Sequence, residues 1–163
     1  MSNFIYVIDT CSIIDAFRLY PHDIFPRLWE NLDGLIKKGR LISHRFVLEE
    51  LLKKSDEASK WAKERRGMFK DITLKQTEIV KKIVSEFPEL VDPDKDVDAD
   101  PWLIALASEK EEQQKLVPKI GIKIIVTEEK LRQNRINIPF ICREFGIEYT
   151  NLIGMMRKEG WKW

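Results

Sequence analysis

Four stretches of this sequence place carboxylates beside what read as the ends of structural elements. Asp9 closes the apolar run Phe4-Ile5-Tyr6-Val7-Ile8. Glu49 and Glu50 lie in "FVLEELLKK", Asp98 and Asp100 precede "PWLIALA", and Glu128 and Glu129 follow "IKIIVT". Carboxylates gathered in one place repel, and one of them takes up a proton unless a cation lies among them. An oxygen-only donor set suits magnesium or manganese. A metal held there lowers the pKa of a bound water and stabilises charge on a phosphate, so the chemistry indicated is hydrolysis of a phosphodiester.

Each acid also has a structural reading. Asp100, just before Pro101, has the position of a helix N-cap whose oxygens take the first free amides. Glu128 and Glu129 would favour a helix N-terminus electrostatically. Glu49 and Glu50 fit a solvated helix face, and adjacent helical residues point ~100° apart, so only one of them faces a common site. Asp9 ends an apolar strand, but Thr10 and Ser12 behind it offer hydroxyls that would cap the following helix instead.

The elements that must position these acids follow from periodicity and turn signals. Strands are expected at 4–9, 40–43, 68–72, 122–126 and 148–150, four of them preceded by a glycine. Helices are expected at 24–38, 45–54, 59–66, from Thr73 to about 87, at 101–112, 138–145 and 151–159. Thr73 with Gln76 has the form of a capping box. Alternation of strand and helix implies a parallel sheet covered on both faces, which binds ligands outside the carboxyl ends of its strands. The acids lie at that edge. The stretch "PELVDPDKDVDAD" reads as an acidic loop, and "SEKEEQQK" as a polar one.

Composition bounds the function. The chain has 163 residues, 44% of them apolar and 34% charged, with a formal net charge of +1. That fits one globular domain over 1–163 and argues against a protein that coats DNA through bulk charge. No stretch approaches the ~20 apolar residues of a membrane span, and Asp9 interrupts the first apolar run too early for a signal peptide. Cys11 and Cys142 form no disulfide framework, so the expectation is a reducing cytoplasm.

Quoted in order, "YVIDTCSIID", "LISHRFVLEELLKK", "DADPWLIALA" and "IKIIVTEEK" resemble the PIN-domain proteins. They look most like the bacterial and archaeal PIN-like branch typified by a domain of unknown function, DUF4411. The likeness runs over nearly the whole chain, through "GRLIS", "WAKERR", "FPELVDP", "IPFICREFGI" and "EGW". It implies a three-layer α/β/α fold with a five-stranded parallel sheet of order 3-2-1-4-5. It also implies a magnesium- or manganese-dependent endoribonuclease leaving a 5′-phosphate and a 3′-hydroxyl, in many small members the toxin of a toxin–antitoxin pair. Partners implied are RNA, an antitoxin protein and a second copy in a homodimer. Carried over by motif, the catalytic and metal-binding acids are Asp9, Glu50, Asp100 and Glu129. Asp98 and Glu49 are further candidates, and Thr10, Ser12 and Thr127 are supporting residues. The last acid is Glu where the family has Asp. The alternative is a PIN-fold chain that no longer cleaves and serves as an RNA- or protein-binding module.

Other features compete poorly for chemistry. Cys11 lacks the arginine six positions on that a cysteine phosphatase needs; that position is Phe17. It reads as a small apolar helix-start residue. Only His22 and His44 are present, too few for a zinc site. Lys53, Lys54, Lys60, Arg65 and Arg66 form a basic run that reads as a solvated helix face or a phosphate-tracking surface. "GWKW" at the carboxyl end reads as aromatics packed across the surface, with a dimer contact or an antitoxin groove as the alternatives.

Overall fold

A computed structural model describes residues 3–54, 56–95, 98–110 and 121–163. Five strands form one sheet: β1 (Ile5–Ile8), β2 (Leu41–His44), β3 (Phe69–Lys70), β4 (Lys123–Val126) and β5 (Glu148–Thr150). Their order is β3-β2-β1-β4-β5, and every pairing is parallel. This is the order the resemblance implied. β2 and β4 are buried along their whole length, as strands covered on both faces must be.

Eight α-helices are described: α1 (Thr10–Leu19), α2 (Pro26–Lys37), α3 (Arg45–Leu52), α4 (Glu57–Lys63), α5 (Leu74–Glu86), α6 (Ala99–Ser108), α7 (Ile138–Phe145) and α8 (Leu152–Lys158). None is long and apolar enough to cross a membrane. The core joins Tyr6, Val7, Ile124 and Ile125 of the central strands to Leu103 and Ile104 of α6, all fully buried. α1 follows Asp9 directly. The expected helix at 101–112 begins two residues earlier, and its proposed last two residues lie outside the described segments. The expected segment at 59–66 begins at Glu57 and ends at Lys63.

The chain moves outward from β1 to β2 and β3, then returns to place β4 on the other side of β1. The strand order therefore reverses between β1 and β4, where ligands bind beyond the carboxyl ends. The register pairs Ile8 with Val126, so Asp9 and Thr127 leave the sheet side by side. The Asp9 amide donates to the Val126 carbonyl at 2.8 Å. Two of the four acidic stretches are thus set together by backbone pairing alone.

The capping box is only half made. Thr73 Oγ1 accepts from the Gln76 amide at 3.1 Å, but the Gln76 side chain does not reach back. Gln76 Oε1 instead faces His44 Nε2 at 2.8 Å, and its Nε2 donates to Glu109 at 2.9 Å. Tertiary partners have displaced the local one.

Candidate functional site

Asp9 is buried, 4% exposed, at the tip of the central strand. Its Oδ1 accepts from the Thr10 amide at 2.8 Å. Its Oδ2 accepts from the Thr127 hydroxyl at 2.9 Å and the Cys11 thiol at 3.1 Å. The side chain thus caps α1, a duty that composition had offered to Thr10 or Ser12. Burial raises its pKa to about 6, with the Glu129 charge adding to the rise and the Cys11, Thr127 and Thr10 donors opposing it. Cys11 is more than packing. Burial and then the Asp9 charge push its thiol to about 12, so it stays protonated and serves as a donor.

Glu50 is held from both sides. Its Oε2 accepts from the Thr10 hydroxyl at 2.7 Å, and its Oε1 accepts from the Ala99 amide at 3.2 Å. α3 carries it toward the N-terminal ends of α1 and α6. Glu49, one residue earlier, is half exposed and pairs with Arg45 at 3.8 Å. The ~100° turn between neighbours thus directs Glu50 to the cluster and Glu49 to solvent.

Asp98 and Asp100 divide two roles. Asp98 caps α6, its Oδ1 accepting from the Asp100 amide at 3.1 Å and its Oδ2 from the Asp92 amide at 2.8 Å. The cap expected of Asp100 belongs to Asp98 because the helix starts earlier than Pro101 suggests. Asp100, in the first turn, is left without a hydrogen-bond donor to its carboxyl among the described residues. Burial raises its pKa to about 9, and Asp9, Asp98 and Glu129 push in the same direction while Lys95 opposes them.

At the far side, Thr127 Oγ1 accepts from the Glu129 amide at 3.2 Å while donating to Asp9. Glu129 Oε2 accepts from the Ile138 amide at 3.1 Å, the first of α7. Glu128 turns elsewhere. Its Oε2 accepts from the Ser12 hydroxyl at 2.5 Å and the Leu152 amide at 3.3 Å, tying α1 to α8. Ser12 therefore fastens helices and is fully buried.

One chain of bonded or adjacent groups runs Glu129–Thr127–Asp9–Thr10–Glu50–Ala99–Asp100. Like charges crowd along it. The cation that opposes this crowding at Asp100 is Lys95, which sequence reasoning passed over as loop composition. Burial works against its charge, yet the attraction of Glu50, Asp98, Asp100 and Asp92 holds its pKa above the usual value. The signal available was a lone lysine inside "DPDKDVDAD". A cleft of about 300 Å³ opens beside the cluster, lined by Glu129, Lys130, Leu131, Tyr149 and Asn151 with Thr127 and Thr150.

The donor chemistry fits a hard divalent cation. The set is all oxygen, Asp100 has no donor, and burial with mutual repulsion favours either protons or a cation at this point. Among the described residues no three His, Cys, Asp or Glu side chains already stand as a closed ligand set.

The remaining candidates lie apart. Arg65 forms a two-pronged bond to Asp33, at 2.7 and 3.0 Å, and stacks over Trp61, so it is committed to packing. Lys53 and Lys54 are exposed just past α3, with Lys60 and Arg66 exposed further on. His44 is fully buried, and its Nδ1 accepts from the Phe46 amide at 3.2 Å to cap α3. Burial lowers its pKa, with the Arg45 charge adding to that and Gln76 opposing it.

Comparison with known proteins gives three findings. No curated protein matches the sequence. Among solved structures, "Crystal structure of VapBC2 from Rickettsia felis bound to a DNA fragment from their promoter" is similar at 16% identity and a TM-score of 0.47. That match covers 90% of this chain and 98% of the other. A family model described as "Domain of unknown function (DUF4411)" matches residues 6–163, and the chain belongs to that family.

Proposed function

We propose that this chain is a magnesium- or manganese-dependent ribonuclease that hydrolyses RNA phosphodiester bonds. The observation that carries the reading is the run of like-charged carboxylates from Glu129 to Asp100 at the strand-order reversal, with Asp9 buried and Glu50, Asp100 and Glu129 partly buried. Asp9 and Asp100 would be the inner ligands, with Glu50 and Glu129 completing the set directly or through water. When bound, the metal supplies an acidified water and neutralises charge on the phosphate.

The chain's own residues have separate duties. Thr127 and Cys11 fix one oxygen of Asp9 and leave lone-pair capacity on the other, since each carboxylate oxygen accepts about two bonds. Thr10 and the Ala99 amide hold Glu50 between Asp9 and Asp100. Glu50 would ligate the metal, directly or through water, or take the proton from the attacking water. Lys95 offers a positive charge to an arriving phosphate at a site that would otherwise repel it. Water adds to phosphorus and the bond to the 3′-oxygen breaks, leaving a 5′-phosphate and a 3′-hydroxyl.

Asp9→Asn tests this directly. Cleavage of labelled single-stranded RNA in magnesium or manganese should fall at least ~100-fold while the protein stays folded. Unchanged cleavage would sink the proposal. The resemblance adds a cytoplasmic toxin held by an antitoxin protein and a homodimer. Co-purification with the product of the adjacent gene tests the first, and sedimentation of the pure chain the second.

A second reading has its own observation: each Glu50 oxygen already accepts a hydrogen bond from the chain itself, one from the Thr10 hydroxyl and one from the Ala99 amide. This favours a chain that keeps the fold and binds RNA or protein without cleaving. Calorimetric titration with magnesium or manganese separates the two, since a binding-only chain takes up no metal at Asp9 and Asp100.

A further inference from the structure

The sequence Gly160-Trp161-Lys162-Trp163 has no part in the carboxylate cluster. It closes a cleft of about 320 Å³ against α8 and the segment after α1, where Tyr20, Phe25, Ile153 and Arg157 line the other walls. Four aromatic rings meet there. Trp161 and Trp163 lie 6.4 Å apart, tilted by 33°, and Tyr20 meets Phe25 edge-on at 5.3 Å. Trp163 is 53% exposed and Ile153 is 37% exposed, so the cleft presents aromatic and apolar surface to solvent. The segment is nonetheless ordered onto the helix, the Trp161 amide donating to the Met156 carbonyl at 3.0 Å.

Charge distinguishes this cleft from an ordinary packing seam. Arg157 and Lys162 line it, and no acidic side chain does. Neither cation joins an ion pair among the described residues. The neighbouring charges are engaged elsewhere: Lys158 pairs with Glu148 at 3.2 Å, and Glu159 with Arg40 at 2.7 Å. A two-fold pairing of copies through this patch would set Arg157 and Lys162 near their own counterparts with no acid in the cleft to offset them. A polyanion with flat apolar faces meets both features at once. Single-stranded nucleic acid stacks its bases on aromatic rings and lays its phosphates on cations.

The cleft is also connected to the carboxylate cluster by one helix. The Leu152 amide, first in α8, donates to Glu128 beside the site, and the next residue, Ile153, already lines the cleft. Seven residues of α8 span ~10 Å. We propose that this aromatic and basic cleft is a second contact for single-stranded RNA. It holds the strand a few nucleotides away from the scissile bond, with Trp163 as a stacking face and Arg157 and Lys162 as phosphate contacts. The inference rests on the ribonuclease reading for its choice of ligand.

The test is binding of a fluorescein-labelled oligouridine 12-mer to the full chain in EDTA, read by anisotropy across a salt series. Trp163→Ala should weaken binding about tenfold, within the range of one lost base stack. Arg157→Ala combined with Lys162→Ala should lower the slope of log affinity against log salt by about 1.4, two contacts' worth. Both variants alter exposed side chains, and a thermal melt matching the parent shows that each is folded. Wild-type affinity and slope in both variants would overturn the proposal. So would a Trp163→Ala chain that sediments differently yet binds RNA unchanged, since the face would then belong to a second copy or another protein. If the parent chain cleaves no RNA but Trp163→Ala still weakens binding, the nuclease reading fails and this contact stands. If the parent cleaves and both variants bind like it, the contact fails and the nuclease reading is untouched.

Discussion

The two ends of the sheet treat buried charge in opposite ways. At the amino-terminal end, Arg40 donates to the Phe4 carbonyl at 2.9 Å and to Glu159 at 2.7 Å, and the Tyr6 hydroxyl donates to the same Glu159 oxygen at 2.6 Å. Buried Lys123 is likewise spent on the Leu106 and Glu109 carbonyls, at 3.1 and 2.7 Å. Arg40, Glu159 and Lys123 thus each meet an opposite charge or a carbonyl. At the carboxyl end Asp9 and Asp100 face carboxylates, and burial raises both pKa values. One end is satisfied by the chain itself. The other sets carboxylate beside carboxylate, with Asp100 lacking a hydrogen-bond donor among the described residues and Lys95 opposing the crowding, a pattern that marks functional sites more often than structural ion pairs.

Substitutions at each end should separate these roles. The largest expected effect is on activity: Asp100→Asn should lower metal-dependent RNA cleavage at least ~100-fold, measured with end-labelled RNA. The same change should not unfold the protein. Arg40→Met removes one side of a mostly buried pair and leaves Glu159 with Tyr6. It should cost about 2–4 kcal/mol in urea unfolding while kcat for cleavage stays near the parent value. A loss of cleavage at unchanged stability would erase the contrast between the two ends.

The next effect has the opposite sign. In metal-free protein Asp100 has a folded pKa of about 9, above its unfolded value of 3.8. Between those values the folded state binds more protons than the unfolded one, so stability falls as pH rises. Thermal melts in EDTA should show a lower Tm at pH 8.5 than at pH 5.5. Asp100→Asn should flatten that slope and stabilise the metal-free chain by up to about 4 kcal/mol at pH 7. Thr127→Val removes the hydroxyl between Asp9 and the Glu129 amide and should reduce cleavage about tenfold. Glu49→Ala should change nothing beyond twofold, because its partner is an exposed arginine.

Much of the fold was legible because its signals are local. β-branched and apolar runs after glycines mark the strands, and Ile138–Phe145 is bounded as expected because Asn137 caps it and Gly146 turns left-handed after it, at φ 68°. β3 shrinks to Phe69–Lys70 because an edge strand has one partner to lengthen against. The division between Asp98 and Asp100 was hidden. Proline at a first helical position is the commoner pattern, but here the helix starts at Ala99, so Asp98 takes the cap, with the Asp92 amide holding its other oxygen. Lys95 and Cys11 were missed for another reason: each acts as a cation or a donor toward neighbouring acids, and no periodicity reports a charge or a thiol that acts through space.

Sequence separation has one more consequence. The hydrogen bond from Thr127 to Asp9 joins residues 118 apart, and that from Tyr6 to Glu159 joins residues 153 apart. Contacts so distant form late and fold slowly. On a ribosome, Asp9, Glu50 and Asp100 emerge early, but β4 must still add beside β1 before Thr127 can hold Asp9. An incomplete chain therefore has no assembled cluster. Under the proposed ribonuclease reading, the order of synthesis itself delays the onset of cleavage.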